Sequence, residues 1–99
     1  MILEIADIEI TPGNEAAFEA AVSEALPLFR ASRGWHGLDL KRGIERVDRY
    51  TLIIKWATLE DHTVHFRNSS AFSQWRSLVG SYFADIPRIQ HVKTVLSIK

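Results

Sequence analysis

The chain has 99 residues, of which 46% are hydrophobic and 24% charged, a composition typical of a single small globular domain over residues 1–99. Twelve basic and twelve acidic residues cancel, so the charge gives no reason to expect nucleic acid or an anionic membrane as a partner. Cysteine is absent, no apolar run approaches the ~20 residues of a membrane span, and Met1–Glu4 lacks the features of a secretory signal, so we expect a cytoplasmic protein without disulfides or thiolate chemistry.

The first part of the chain predicts a strand, a helix and a second strand. The stretch from Ile2 to Ile10 is rich in isoleucine and places Ile2, Ala6, Ile8 and Ile10 on one face, which indicates a strand. Apolar residues then recur every three or four positions over Glu15–Ala31, which predicts a helix that Pro27 kinks or ends in its last turn. Gly34 suits a left-handed cap after that helix. Weak alternation over Trp35–Arg42 predicts the second strand.

The second part predicts a strand, two short helices and a last strand. Arg49–Ala57 alternates most clearly and is the third strand. Thr58 to Asp61 has the spacing of a capping box, which predicts a helix over Leu59–Arg67. A second helix is expected between residues 70 and 80, and the fourth strand is expected over Ile89–Ile98.

This order of elements is β-α-β-β-α-β, the ferredoxin-like split βαβ arrangement of the α+β class, with an antiparallel sheet. Helices can cover only one face of such a sheet, so the other face should be polar. The predicted strands instead keep apolar residues on both faces. We therefore expect a second copy of the chain to cover the free face, which makes the protein a homodimer.

Three stretches of the sequence resemble the antibiotic biosynthesis monooxygenase family, within the dimeric α+β barrel superfamily. The first is Pro12-Gly13-Asn14-Glu15 before an alanine-rich helix, followed by Arg33-Gly34-Trp35. The second and more specific stretch runs from Ile54 to Trp75, with Trp56 ending a strand, His65 nine residues later, and a serine-rich break before Phe72. The third, from Ile86 to His91, is similar to the family's run into its last strand.

The resemblance implies two protomers packed sheet against sheet, with a pocket in each protomer between its sheet and helices. It further implies a monooxygenase that needs no metal, flavin or other cofactor and oxidises a small aromatic quinol or polyketide-like phenol with O₂. The haem-degrading relatives are a poorer match, because they use an asparagine in the first strand where this chain has Asp7.

Two residues are the candidates for catalysis. His65 is the candidate general base, since a neutral histidine accepts a proton near pH 7, and His65→Ala should then abolish turnover. The resemblance implies that Arg76 stabilises the substrate oxyanion and that Trp56 forms a pocket wall. The expected substrate-binding residues are Trp56, His62, Phe66, Phe72, Trp75 and Tyr82. The structural alternative is that the aromatic residues form the core and that His65 is a helix histidine bonded to a backbone carbonyl.

Other readings of the same residues stay open. His62 and His65 share a helix face and could bind a metal with His36 or His91, but this spacing is a weak signal and we expect no metal. The protein could instead be an isomerase or lactone-handling enzyme that moves a proton without O₂. It could also be a non-enzymatic stress-response or ligand-binding barrel in which the histidines are structural.

Overall fold

A computed structural model describes all residues from Met1 to Lys99 and confirms the predicted β-α-β-β-α-β order. The strands are β1 (Ile2–Glu9), β2 (Trp35–Arg42), β3 (Arg49–Trp56) and β4 (Arg88–Val92). The α-helices are α1 (Glu15–Glu24), α2 (Leu26–Arg30) and α3 (Ser70–Val79). A π-helix covers Asp61–Phe66, and a 3₁₀ turn covers Gly80–Tyr82. None of the helices has the length and hydrophobicity that crossing a bilayer requires.

The four strands form one antiparallel sheet in the order β2-β3-β1-β4. On β1, Glu4 lies opposite Ile54 of β3 on one side and His91 of β4 on the other. Because side chains alternate between the two faces of a strand, residues directly opposite each other point to the same face. Glu4 and His91 therefore share the face on which the helices pack.

The helix-facing side of β1 and β3 forms the core. Tyr50, Leu52, Ile54 and Trp56 alternate along β3 and are all buried, and Phe18 of α1 and Phe29 of α2 pack into the same cluster. Glu4 interrupts the corresponding row of β1, where it lies among apolar side chains with only 5% of its surface exposed. A carboxylate at such a place costs free energy unless polar partners compensate for the lost water.

The predicted helix over 15–31 is two helices, with the break at Ala25, two residues before Pro27. Proline lacks an N–H donor and its ring collides with the carbonyl one turn earlier, so the regular ladder must end before it. Pro27 instead occupies the first turn of α2, where no N–H is needed. The predicted interruption of the helix is confirmed, and it lies at Ala25, slightly upstream of Pro27.

The predicted helix over 59–67 is mainly a π-helix. Its capping box is present: the backbone N–H of Thr58 donates to Asp61 Oδ2 over 3.1 Å, and the N–H of Asp61 donates to Thr58 Oγ1 over 3.2 Å. The N–H of Arg67 then donates to the carbonyl of His62 five residues earlier, over 3.1 Å. The wider turn accommodates one more residue than an α-helical turn, which rotates His62 toward the sheet.

The predicted last strand over 89–98 was too long, because β4 ends at Val92. Val92 pairs with Leu3, close to the start of β1 at Ile2. Beyond that point only Ile2 of β1 remains, so the pairing has almost no strand left to follow and ends. The residues that follow are exposed, among them Val95, Leu96 and Ile98.

Gly34 offers a test of how tightly β2 is held to the π-helix. It adopts φ +75°, and a Cβ at this position would overlap the side chain of Asp61. Gly13 also has a positive φ, of +91°, but faces open space. We expect Gly13→Ala to cost about 1–2 kcal/mol of unfolding free energy from backbone strain, and Gly34→Ala to cost more. Urea unfolding measures both, and equal losses would contradict the contact with Asp61.

Candidate active site

A cavity of about 620 Å³ opens between the helix-facing side of the sheet and the π-helix and α3. Its size lies within the range of ordinary small-molecule sites. Most of its lining is apolar, and the residues concerned are Ala6, Ile8, Phe29, Leu52, Ile54, Phe66, Phe72, Trp75, Phe83, Ile86, Pro87 and Ile89. The charged or ionisable lining residues are Glu4, His62, Arg67, Arg76 and Asp85. The arrangement suits a flat apolar ligand that carries a polar or ionisable group.

Glu4 is held at the sheet end of this cavity by an indole. The Nε1–H of Trp56 donates to Glu4 Oε1 over 3.0 Å. Trp56 is fully buried, so this hydrogen bond is shielded from water. The second carboxylate oxygen, Oε2, has no hydrogen-bond partner in the protein. The only enclosed side-chain polar atom without a partner belongs to Trp35, so Glu4 Oε2 remains accessible, and the space that it reaches is the cavity.

Two histidines continue from Glu4. His62 Nε2 lies 3.3 Å from Glu4 Oε1, and His62 Nδ1 lies 2.7 Å from His91 Nε2. The His62 ring stacks on Trp56, with ring centroids 5.7 Å apart and an angle of 15° between planes. His62 is 2% exposed, whereas His91 on the edge strand is partly exposed. Because both nitrogens of His62 face protein groups and His91 is not part of the lining, Glu4 Oε2 is the free polar atom of this cluster at the cavity.

Burial dominates the electrostatics of the cluster. It raises the pKa of the Glu4 carboxyl, against smaller lowering effects from the Trp56 hydrogen bond and the positive charge of Arg67. Burial lowers the pKa of His62 to about 4, and the charges of Arg67 and His91 add to the effect. The pKa of His91 is also lowered, first by burial and then by Arg67. Near neutral pH both imidazoles are therefore uncharged, and Glu4 is a stronger base than an exposed glutamate.

The lowered pKa of His62 makes stability depend on pH. Between pH 6.5 and about 4 the unfolded chain binds a proton at His62 that the folded chain does not, so acidification destabilises the fold. Relative to His62→Gln, the wild type should lose up to about 3 kcal/mol of unfolding free energy over that range. The raised pKa of Glu4 gives a pH dependence of stability with the opposite sign. Both proteins contain Glu4, so taking the difference between them removes this contribution.

Urea unfolding at pH 4, 5, 6 and 7 measures this difference. His65→Gln is the matched control, because His65 is an exposed histidine of the same helix, and it should keep the wild-type pH dependence. A constant difference between wild type and His62→Gln across this range would contradict the lowered pKa.

Arginines lie around the more exposed part of the cavity. Arg67 and Arg76 both line it and are exposed. The guanidinium of Arg76 lies over the ring of Phe72, 5.8 Å from the ring centroid, which holds the cation beside an aromatic wall. Ile86, also in the lining, is 85% exposed and marks where the cavity meets solvent.

The structure brings five of the residues predicted from sequence together around the cavity: His62, Phe66, Phe72, Trp75 and Arg76. It does not bring His65 there, because that side chain is exposed and absent from the lining. Trp56 lies behind the cavity wall, where it binds Glu4. Tyr82 packs near Phe18, with ring centroids 6.3 Å apart, and its neighbour Phe83 lines the cavity instead.

The histidines do not form a metal cluster in this arrangement. His62 is buried and His65 exposed, so their rings do not converge despite the three-residue spacing. His62 faces Glu4 and His91 with different nitrogens, so the three side chains do not point to one centre. No group of three or more histidine and carboxylate side chains is arranged to hold a metal ion.

Neither Glu4 nor His91 was predicted from the sequence to belong to this cluster. The signal for Glu4 is present: it is the one charged residue in the row Ile2, Glu4, Ala6, Ile8 and Ile10 that faces the helices. His91 lies two residues after Ile89 and so shares its face, but nothing local distinguishes it from an edge-strand histidine facing water. Its role becomes visible only through the pairing of β4 with β1.

Comparisons with known proteins agree with this fold. A family model described as antibiotic biosynthesis monooxygenase matches residues 1–78. The uncharacterised protein YczJ of Bacillus subtilis is 34% identical over 95 residues, which cover 96% of this chain and 100% of YczJ.

Solved structures give the same result. A candidate antibiotic biosynthesis monooxygenase from Bordetella bronchiseptica is 50% identical, with a TM-score of 0.94 and coverage of 96% of this chain and 97% of that one. SnoaB, a cofactor-independent oxygenase from Streptomyces nogalater, has the same fold at 12% identity, with a TM-score of 0.84 and coverage of 98% and 95%.

Proposed function

Because the chain belongs to the antibiotic biosynthesis monooxygenase family, we propose that it oxidises a small aromatic quinol or polyketide-like phenol with O₂, without metal or flavin. The observation that carries the proposal is a buried carboxylate, Glu4, whose free oxygen reaches an otherwise aromatic and apolar cavity. The same class of chemistry is named for one structural relative, SnoaB, a cofactor-independent oxygenase.

In this proposal Glu4, rather than His65, is the general base. Its Oε2 takes the proton of a substrate hydroxyl, while Trp56 and His62 hold Oε1 in place. A carboxylate with a raised pKa is better matched to a weakly acidic phenol than an exposed one. His65 lies outside the cavity and has no access to this proton.

The other lining residues bind and orient the substrate anion. Phe66 and Phe72 pack with their rings at 78° and their centroids 5.7 Å apart, and Phe29 and Trp75 extend the aromatic wall. A flat aromatic substrate gains contact area and loses water between such rings. Arg76, held against Phe72, provides positive charge near the negative charge that develops on the substrate oxygen.

The reaction can be written so that atoms and electrons balance. Loss of the hydroxyl proton to Glu4 gives an anion that transfers one electron to O₂, and the two radicals combine as a peroxide. Cleavage of the O–O bond with loss of water leaves a carbonyl on the ring. One anthrone or dihydroxynaphthalene and one O₂ therefore give one quinone and one water, with O₂ as the oxidant.

Oxygen uptake by chelator-treated protein tests the proposal, with a panel of dihydroxynaphthalenes and anthrones and subtraction of autoxidation. We expect enzyme-dependent uptake of one O₂ per molecule of substrate, with the quinone as product. Substrate conversion without O₂ uptake would indicate the isomerase alternative. Ligand binding with neither would indicate a binding barrel, and either outcome would overturn the oxygenase.

The proposal includes a homodimer. No helix covers the second face of the sheet, where Leu3, Ile5 and Ile53 are only partly buried. The chain end adds exposed apolar residues, with Val95 at 89% and Ile98 at 82% exposure. Contiguous apolar surface of this kind marks a protein contact. Light scattering should give twice the mass of the 11.3 kDa chain, and Ile53→Lys should halve it. A wild-type monomer at micromolar concentration would contradict the dimer.

A further inference from the structure

We infer that Glu4, His62 and His91 form a proton relay that connects the cavity to solvent through β4. The inference rests on the proposed function for its catalytic consequence, since a base that accepts a substrate proton must lose it before the next turnover, and the relay gives that proton a route to and from solvent. The relay itself is a property of three side chains and their contacts.

The contacts form a chain with two ends of different exposure. Glu4, at 5% exposure, and His62, at 2%, lie inside, and His91 lies partly exposed on the sheet edge. The successive gaps are 3.3 Å from Glu4 Oε1 to His62 Nε2 and 2.7 Å from His62 Nδ1 to His91 Nε2. The 2.7 Å gap has the length of a hydrogen bond, whereas the 3.3 Å gap is longer than direct transfer requires and must shorten first, as catalytic contacts often do when substrate binds.

The indole of Trp56 fixes the direction of the hydrogen bonds. It can only donate, so Glu4 Oε1 is an acceptor. With Glu4 ionised, His62 carries its proton on Nε2, facing the carboxylate. The bare His62 Nδ1 must then accept from His91, so His91 also carries its proton on Nε2. One charged carboxylate thus sets the tautomers of two neutral rings.

When a proton enters the relay, one proton moves across each contact and both rings change tautomer. A proton from water binds His91 Nδ1, the proton on His91 Nε2 moves to His62 Nδ1, and the proton on His62 Nε2 moves to Glu4 Oε1. The final state has a neutral carboxylic acid and two neutral imidazoles protonated on Nδ1. A substrate proton bound at Oε2 enters the relay once the carboxylic acid rotates to bring its O–H to His62, and running the sequence backward then carries that proton from Glu4 to solvent.

The neighbouring groups disfavour a charged imidazolium on either ring, so a proton is passed on and does not stay on His62 or His91. Glu4 on β1 faces Trp56 from β3, His62 from the π-helix and His91 from β4. Arg67 is the charged side chain whose field reaches all three ionisable groups. Its positive charge disfavours an imidazolium. Asp61, next to His62, is paired with Arg33 and bound to the N–H of Thr58 instead.

Nitrogen NMR of ¹⁵N-histidine-labelled protein tests the relay without any substrate. We expect a nitrogen–nitrogen coupling between His62 Nδ1 and His91 Nε2 across their hydrogen bond. On acidification both rings should switch from the Nε2–H to the Nδ1–H tautomer at one shared midpoint. Glu4→Gln should abolish the switch. Separate midpoints, conversion to imidazolium at the midpoint where the tautomers should switch, or a switch that persists in Glu4→Gln would overturn the relay.

Turnover provides the second arm, on any substrate that supports O₂ uptake. His91→Ala should lower kcat at least tenfold with KM unchanged, and added imidazole should restore it. His36→Ala is the control, because His36 is exposed on β2. Its kcat should equal that of the wild type, with or without added imidazole. A lowered kcat in His91→Ala that imidazole does not restore would mean a structural role. If no substrate supports uptake, the oxygenase fails while the NMR result still decides the relay.

Discussion

Replacing Glu4 with glutamine is expected to lower kcat for O₂-dependent oxidation by about 10²–10⁴-fold, the usual contribution of a general base. Glutamine keeps the volume of the side chain and an oxygen that can accept the Trp56 N–H, so the fold should survive. What it loses is the lone pair that takes the substrate proton. The loss should appear in kcat and kcat/KM alike, because the proton leaves only on the way to the transition state.

Two controls make this result specific. Glu24→Gln changes the same functional group at an exposed site on α1 and should leave kcat unchanged. His65→Gln should also leave kcat unchanged, since the side chain is exposed outside the cavity. Full activity in Glu4→Gln would assign the proton to another group, and loss of activity in His65→Gln would restore the role expected for His65 from sequence.

Replacing Trp56 with alanine is expected to give the largest loss of stability, about 3–5 kcal/mol of unfolding free energy. Trp56 is fully buried, and its ring contacts His62 and Phe66, with centroids 5.7 and 5.4 Å away. Removal leaves a void and deprives Glu4 of its hydrogen-bond donor. Domains are stable by only about 5–15 kcal/mol, so partial unfolding at room temperature is expected.

Replacing Trp56 with phenylalanine separates the loss of packing from the loss of the hydrogen bond to Glu4. Trp56→Phe keeps much of the packing but removes the indole N–H, and should cost about 1–3 kcal/mol for the unpaired acceptor on Glu4. Trp35→Phe is the matched control, because the buried Nε1 of Trp35 has no hydrogen-bond partner. Chemical denaturation measures both variants. An equal cost for the two would show that the Trp56 hydrogen bond contributes nothing to stability.

The fold could be predicted from the sequence because its signals are local. The isoleucine-rich residues 2–10 and the alternation over residues 49–57 indicated both central strands, and the capping box indicated the start of the helix after β3. The resemblance to the antibiotic biosynthesis monooxygenases is confirmed by the match over residues 1–78. The end of β4 could not be predicted, because it depends on where β1 begins rather than on the residues of β4 itself.

The site could be predicted only in part, because its chemistry depends on contacts across the sheet. Phe66, Phe72 and Trp75 were predicted to bind substrate, and all three line the cavity. The base was assigned to His65 because α-helical spacing does not reveal which histidine faces inward, whereas the π-helix turns His62 toward Glu4. Local sequence patterns carry no information on that pairing.

The π-helix also has an evolutionary consequence. Deletion of one residue between Asp61 and Phe66 would let the segment close as an α-helix with its flanking residues nearly unrotated, because a π-helical turn holds one more residue than the α-helical turn that replaces it. Such a deletion would redirect the side chains inside the turn, His62 among them, away from Glu4, with little change to the rest of the fold. A single codon lost or gained could thus convert this scaffold between a proton-transferring and a purely binding form, so the length of this segment is a useful marker for sorting relatives.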